Sequence, residues 1–354
     1  MRAAGSTVAG ALLVPVGLGL GVPWAQADWT SPFAAVGVAA LAAGAVLLLL
    51  GLLRIGRVVR RRWLRPLALL PVVFLVLVSS LVGTTALLAA VPAPVRVGLA
   101  QPADRGLDAT EVRFPARDGT LLAGWYVPSR NGAALALLHG AHSTRTAVLP
   151  QAQVLARHGY GVLMFDARGH GRSAGQAMDF GWYGEDDLSG AVTWLLGRSD
   201  VRGGRVAAVG ESMGGEEAIG ALGADPRLRA VVGEGATNRV TGDWDWLTRA
   251  YGGRGTVTRW VHGLTYALTD LLTPATPPPP LAEAVRRGAP RPVLMIAAGR
   301  MPDETLAADA VKRASPGNVT VWTVRGAGHT GGLAAASGEW EQRVVAFLDA
   351  ALPA

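Results

Sequence analysis

No cysteine occurs anywhere in the 354 residues. That absence excludes disulfides, thiolate metal sites, a lipid-modified cysteine and a cysteine nucleophile together. It leaves the compartment open, because a domain with a large apolar core needs no disulfide in an oxidising space. Lysine is nearly missing too: Lys312 stands alone against 32 arginines. Acids are missing from the first 96 positions except for Asp28, whereas that stretch holds Arg2, Arg54, Arg57, Arg60, Arg61, Arg62, Arg65 and Arg96. Eight cations against one acid give the segment the whole of the chain's net charge of +7, and the other 258 residues balance 25 basic groups with 25 acidic ones. Phosphate binding needs cations clustered on a folded surface. Here the surplus lies between apolar runs, which argues against a nucleic-acid partner and for a membrane topology signal.

Half of all residues are hydrophobic, and the excess sits near the N-terminus. Three runs, 7–24, 33–53 and 66–91, reach the roughly 20 apolar residues that a helix needs to cross a hydrocarbon core. The second and third carry no charge at all, so they avoid the penalty of an ionised group at mid-bilayer. Residues 1–96 are therefore expected to be a membrane region of three transmembrane helices. Six arginines lie at 54–65, between the second and third runs, and that loop is expected to stay cytoplasmic. The third span then runs outward, so that residues 97–354 lie outside the cytoplasm and the protein is a multi-pass protein of the cell membrane. Ala25-Gln-Ala27 also fits a signal-peptidase site; cleavage there would leave two spans and the same orientation.

From residue 110 the pattern becomes short apolar runs alternating with helical ones. Runs at 111–115 and 121–127 flank an Asp118-Gly119 turn and read as a hairpin. Runs at 133–138, 161–165, 206–209, 229–233, 292–297 and 319–324 read as buried strands. Helical stretches at 145–158, 185–198, 213–223, 304–315 and 338–351 separate or follow them. This alternation predicts an α/β class with a doubly wound, mostly parallel sheet. The segment 237–290 breaks it with Trp244, Trp246, Tyr251, Trp260 and Tyr266 and a proline run at 277–280. It is expected to form a cap insertion whose Trp244, Trp246 and Trp260 touch substrate, or a packed helical excursion whose aromatics are core.

The sharpest chemical signal is Gly210-Glu211-Ser212-Met213-Gly214, between a strand and a helical run. A serine hydroxyl is a weak nucleophile until a base takes its proton. A sharp strand-to-helix turn presents it clear of the sheet, and small flanking residues permit the tight turn. Leu137-Leu138-His139-Gly140-Ala141 ends an earlier strand, where the Ala141 amide pairs with that of Met213 as oxyanion donors. The loop after 292–297 offers Asp303 and Glu304, and Gly326-Ala-Gly-His329-Thr330 places a histidine in a glycine-rich loop.

These motifs, with Phe165-Asp-Ala-Arg-Gly-His-Gly-Arg-Ser173 and 292–299, carry a resemblance over about 110–354. The chain resembles an α/β-hydrolase of the esterase and serine-aminopeptidase-like type. The resemblance implies Ser212 as nucleophile, His329 as base and a carboxylate that orients it, in the chain order of that family. The departure is at the acid: many members place an aspartate where this chain has Pro302, which leaves Asp303, preferred, or Glu304. His142, just beyond the oxyanion strand, is expected to line the pocket. His170, His158 and His262, Asp186 and Asp187, and Asp243 and Asp245 read as turn-shaping, capping or surface groups with no metal-ligand spacing, while Glu211 either tunes the nucleophile's surroundings or faces solvent.

The implied reaction is hydrolysis of a small-molecule or lipid-like acyl substrate through an acyl-enzyme, without cofactor or metal. A peptidase or acyltransferase would use the same three groups, and a non-catalytic binding protein would be expected to have lost one of them. An aspartate-dependent dehalogenase or epoxide hydrolase of this fold is excluded by Ser212.

Overall fold

A computed structural model describes residues 2–354, with side chains from Gly5 onward. The chain divides into two compact units. One holds the residues up to Pro94 together with Trp260–Pro274; the other holds Val95–Arg259 and Ala275–Ala354.

In the first unit, three helical stretches, Gly5–Ala27, Pro32–Val58 and Arg62–Ala90, are long and apolar enough to cross a membrane. They coincide within a few residues with the expected runs. The first consists of α1 (Arg2–Val16), a π-helical turn at Gly17–Gly21 and α2 (Val22–Ala27). α3 (Pro32–Val58) starts sharply because Ser31 accepts a hydrogen bond from the Phe33 amide, with proline at the first helical position. α4 (Arg65–Ala90) follows the arginine-rich connection. Glycines set how closely the first stretch and α3 approach: a methyl on Gly21 or Gly37 would overlap the other's backbone, and one on Gly10 would strike Gly44 and Leu48. Small residues at such contacts let two helices pack on van der Waals attraction alone. Outward-facing Val36, Leu49, Phe74 and Leu77 are all more than half exposed, an apolar surface that water does not favour.

The second unit is built on one eight-stranded sheet. Its strands are β1 (Thr110–Pro115), β2 (Leu121–Val127), β3 (Ala134–Leu138), β4 (Gly161–Phe165), β5 (Val206–Glu211), β6 (Val231–Glu234), β7 (Val293–Ala298) and β8 (Val319–Val324). They lie in the order β1-β2-β4-β3-β5-β6-β7-β8. β2 pairs antiparallel with β1 and β4, and every other pair is parallel. The central strands are apolar along their whole length because helices cover both faces. On one face pack α6 (Gly184–Leu196), α7 (Met213–Ala224), α9 (Leu281–Gly288) and α10 (Pro302–Ala314), through Leu188, Ile219, Val285 and Val311. On the other pack α5 (Leu149–Arg157) and α12 (Ser337–Ala351), through Leu155, Trp340 and Leu348. The short α11 (Gly332–Ala335) precedes α12. After β3 the chain crosses to β4 on one side and then to β5 on the other, so a topological switch point opens between β3 and β5, where α/β proteins place their ligands.

The insertion is helical, as one of its two expected forms required. It is largely one helical element, α8 (Trp246–Leu272), broken at Gly252, whose φ of 56° is left-handed. Its later part, from Trp260, belongs to the unit of apolar helices, whereas the sequence division assigned all of 237–290 to the hydrolase-like part. The helix expected at 304–315 also starts earlier, at Pro302.

Candidate active site

Ser212 stands at the switch point, between the end of β5 and the start of α7, with φ 53° and ψ −121°. That conformation is unfavourable for a side-chain-bearing residue and persists only where the surroundings fix it. They do so here: the Ser212 amide donates to the Glu234 carbonyl at 2.7 Å, and its carbonyl accepts from the amides of Gly215 and Glu216. A methyl on Gly210 would overlap the Gly214 carbonyl, and one on Gly214 would come within 2.6 Å of the Leu138 and His139 carbonyl oxygens. The two glycines are thus required by close backbone contact.

His329 lies in the loop between β8 and α11. Its Nε2 is 2.9 Å from Ser212 Oγ, and its Nδ1 is 2.6 Å from Glu304 Oε1. With Nδ1–H donating to the carboxylate, Nε2 is left as the acceptor facing the hydroxyl. The hydrogen bond to Glu304 raises the His329 pKa above its ordinary value, against burial that lowers it. Glu304 is buried, and its second oxygen accepts from the Ala298 amide at 2.9 Å, which ties it to the end of β7.

The carboxylate preferred from the sequence is elsewhere. Asp303 is exposed and accepts a 2.5 Å hydrogen bond from the hydroxyl of Tyr251. The reason is helix phase: α10 has already begun at Pro302, so Asp303 and Glu304 project about 100° apart and only the second faces His329.

Met213 is the first residue of α7, and its amide has no acceptor within the helix. Gly140, one residue before Ala141, presses against the serine; a Cβ added to it would lie 3.2 Å from Ser212 Cβ. Met213 thus directly follows Ser212, and Ala141 directly follows the glycine that packs against it. His142 follows with φ 53° and a largely exposed side chain, its Nδ1 2.7 Å from Asp179 Oδ2. Trp246 is buried, stacked on Trp244 and packed with Leu247 against Ala307 of α10. These indoles act as the footing of the helix that carries Glu304. Trp260 belongs to the other unit and is mostly exposed.

Glu234, Gly235 and Asp179 escaped the sequence reading. Glu234, at the end of β6, accepts from the Gly332 amide at 2.6 Å and from Trp340 Nε1 at 3.0 Å, which fixes the chain just after His329. Gly235, at φ 67°, lies under the imidazole, where a Cβ would come within 2.9 Å of His329 Cε1. The only sequence signal for this pair is a glycine directly after a strand. Glu211 is half-buried beside the serine; desolvation, and then the charge of Glu234, push it up to about 8. His139 accepts from the Ala167 amide at Nε2 and donates through Nδ1 to the Gly140 carbonyl. Burial, with His170 nearby, holds it down at about 4, so it stays neutral and braces the Gly140–Ala141 turn. Asp179 joins His142 to buried His170, which lies 2.9 Å away. Burial alone would raise this carboxyl, but the two imidazoles hold it down at about 2. Among the described residues no group of three or more His, Cys, Asp or Glu side chains is arranged to hold a metal ion.

The family model of serine aminopeptidase, S33, matches residues 129–273. Two curated relatives are each 35% identical: the uncharacterized protein YfhR of Escherichia coli strain K12 over 132 residues, and thiohydrolase aneE of Aspergillus aculeatus over 128. Each match covers 35% of this chain, with 46% and 40% of the respective relatives, so the chain spans less than half the length of these proteins. Among solved structures, the Pyrococcus furiosus esterase Pf2001 superposes with a TM-score of 0.58 at 24% identity, over 73% of this chain and 97% of that one. The α/β hydrolase GrgF from Penicillium sp. sh18 superposes with a TM-score of 0.53 at 21% identity, over 70% and 99%.

Proposed function

We propose that this chain, which has the α/β-hydrolase fold, is a membrane-anchored serine hydrolase that cleaves carboxylic esters through an acyl-enzyme on Ser212, a reading supported by the match of residues 129–273 to the serine aminopeptidase, S33, family. The observation that carries the proposal is the unbroken chain from Glu304 Oε1 to His329 Nδ1 at 2.6 Å and from His329 Nε2 to Ser212 Oγ at 2.9 Å. Ser212 Oγ attacks the carbonyl carbon while its proton passes to His329 Nε2. The imidazolium, stabilised by Glu304, returns that proton to the departing alkoxide, which leaves as the alcohol. Water then gives up a proton to the same nitrogen and attacks the acyl-enzyme, and His329 returns that proton to Ser212 Oγ as the acid is freed. The amides of Met213 and Ala141 serve the oxyanion, each worth about 3 kcal/mol in such a role.

The three apolar stretches, with exposed faces of Val, Leu and Phe, support an anchor that spans the bilayer. The arginines at 54–65 support a cytoplasmic connection between α3 and α4, and therefore a hydrolase unit on the opposite side. His142 is assigned to the entrance of the site. A lipid-like acyl substrate suits an enzyme held at a membrane. The name of the matched family favours a peptidase as the second reading, and that of the Aspergillus relative keeps thioesters among the substrates to be tried.

The proposal is tested on the full-length protein. A fluorophosphonate probe is expected to label the wild type and to leave Ser212→Ala unlabelled. Turnover of p-nitrophenyl acyl esters is expected to exceed that of aminoacyl anilides; the reverse order would establish the peptidase reading, and an unlabelled wild type would end the enzyme reading.

A further inference from the structure

Helix α8 reverses the usual polarity of a soluble helix over 260–272. Trp260, Leu264, Ala267 and Leu271 recur at helical spacing and are all exposed, Trp260 at 67% and Leu271 at 83%. Thr265, Tyr266 and Thr269 are buried. A helix whose outer face meets water carries its polar groups outward and its apolar stripe inward. The inward hydroxyls are already satisfied, since Thr265 Oγ1 donates to the Val261 carbonyl at 3.1 Å and Thr269 Oγ1 to the Thr265 carbonyl at 2.8 Å. Such an inside-out pattern is stable where the surrounding solvent is hydrocarbon.

The neighbours of this segment agree. It belongs to the unit of the three apolar stretches. Leu264, Leu268 and Leu272 close an apolar groove of about 500 Å³ with Pro15 of α1 and Val82 and Leu87 of α4. The hydroxyl in that groove, Ser79 Oγ, donates to the Ala11 carbonyl at 2.8 Å, so the groove offers a ligand little but hydrocarbon contact. The stretch of α4 concerned is the half nearer Ala90.

We infer that residues 260–272 form a fourth membrane-embedded element, with the Trp260–Leu264–Ala267–Leu271 stripe and the adjoining groove filled by lipid acyl chains. Thirteen residues of helix rise about 20 Å, short of a hydrocarbon core of about 30 Å, so the element enters one leaflet and does not cross. Its one carboxylate, Asp270, lies off the stripe, as suits an element near the headgroup boundary. The inference rests on the proposed anchor and adds that the insertion of the hydrolase sequence is itself held in the lipid.

The natural absence of cysteine makes the test direct. Single cysteines at Leu264→Cys and Leu271→Cys, at Leu77→Cys on the exposed face of α4, and at Gly317→Cys, where an added Cβ meets nothing, are labelled with bimane. The full chain is reconstituted in phosphatidylcholine–phosphatidylglycerol vesicles. Labels at 264 and 271 are expected to be quenched by lipids with brominated acyl chains to within about twofold of the label at 77. They are expected to escape aqueous iodide, while the label at 317 does the opposite. Labels at 264 and 271 that behave like the one at 317, while 77 is lipid-quenched, would overturn this inference alone. Shielding from both quenchers would identify a second copy of the chain on this face and overturn it too. Lipid quenching absent at 77 as well would remove the anchor and the inference together. Ala267→Cys, on the same stripe, replaces any variant whose melting temperature departs from that of the wild type.

Discussion

Consecutive side chains on an α-helix diverge by about 100°, so at the head of α10 only one of two adjacent carboxylates can face His329. Glu304 does, at 2.6 Å, while Asp303 holds the exposed Tyr251. Glu304→Gln keeps the shape but removes the charge that fixes the tautomer and stabilises the imidazolium. It is expected to lower kcat for ester turnover by about three to four orders of magnitude, whereas Asp303→Asn, at an exposed hydrogen bond, stays within about twofold of wild type. The pH profile carries the same assignment. His329 must be neutral to accept the proton, and Glu304 raises its pKa. Wild-type kcat/KM therefore climbs with pH through a value above the usual 6.5 of histidine, and in Glu304→Gln that limb moves to lower pH. Equal losses in the two variants would return the choice to Asp303. Both acids were legible in the sequence, and so were Ser212 and His329 through their glycine-rich turns. The choice between the acids was not, because it depends on α10 starting at Pro302, and a one-residue step of helix phase has no signature in composition. Glu234 was hidden for a similar reason: its partners, Gly332 and Trp340, lie about a hundred positions away in the chain.

At the scale of elements, the turn around Ser212 is held by contacts that leave no room for a methyl group. Gly214→Ala would set a Cβ 2.6 Å from two carbonyl oxygens at the end of β3, and overpacking of this kind costs about 1–3 kcal/mol. The expected result is a lower melting temperature together with lost fluorophosphonate labelling, since the contact sits between the Ser212 turn and the Gly140–Ala141 turn. A variant that labels like the wild type would mean that the turn is slacker than its geometry implies. A second constraint links two loops, where Asp179 bridges His142 and His170. The carboxyl, lowered to about 2, stabilises the fold above its ordinary range, and that contribution is lost only as pH falls through about 2. The two imidazoles, raised by Asp179, stabilise the fold below about 6.5 and lose that contribution as pH rises through their raised values. The gap in melting temperature between wild type and Asp179→Asn is therefore expected to be widest near pH 5 and to shrink towards pH 9; a gap independent of pH would dissociate the bridge from charge. The strands themselves were legible, because a parallel sheet covered on both faces spells each strand as an unbroken apolar run. The insertion was not: Trp246 and Trp260 look alike in sequence, yet one packs under α10 and the other joins a unit assembled from the distant N-terminus.

For the whole molecule the governing asymmetry is electrical. The net charge of +7 is carried by the first 96 residues, and six of their arginines fall at 54–65, around the α3–α4 connection. Moving such a cluster through a bilayer is costly for each cation, and short loops rich in arginine stay on the cytoplasmic side. In the proposed topology the single span that follows the arginines, α4, puts the hydrolase unit on the other side. The cysteine-free sequence again supplies the means of checking, through two glycines whose added Cβ meets no neighbour, Gly56 near the end of α3 and Gly317 in the hydrolase unit. With Gly317→Cys, a membrane-impermeant maleimide is expected to react in right-side-out membrane vesicles and to be excluded from inverted ones. With Gly56→Cys the accessibility is expected to be the reverse. If both cysteines react from the same face, α4 fails to cross, and the hydrolase unit shares a compartment with the arginines. If the two faces are exchanged, the charge of the 54–65 loop does not set the orientation, and the enzyme acts on acyl groups available inside the cell.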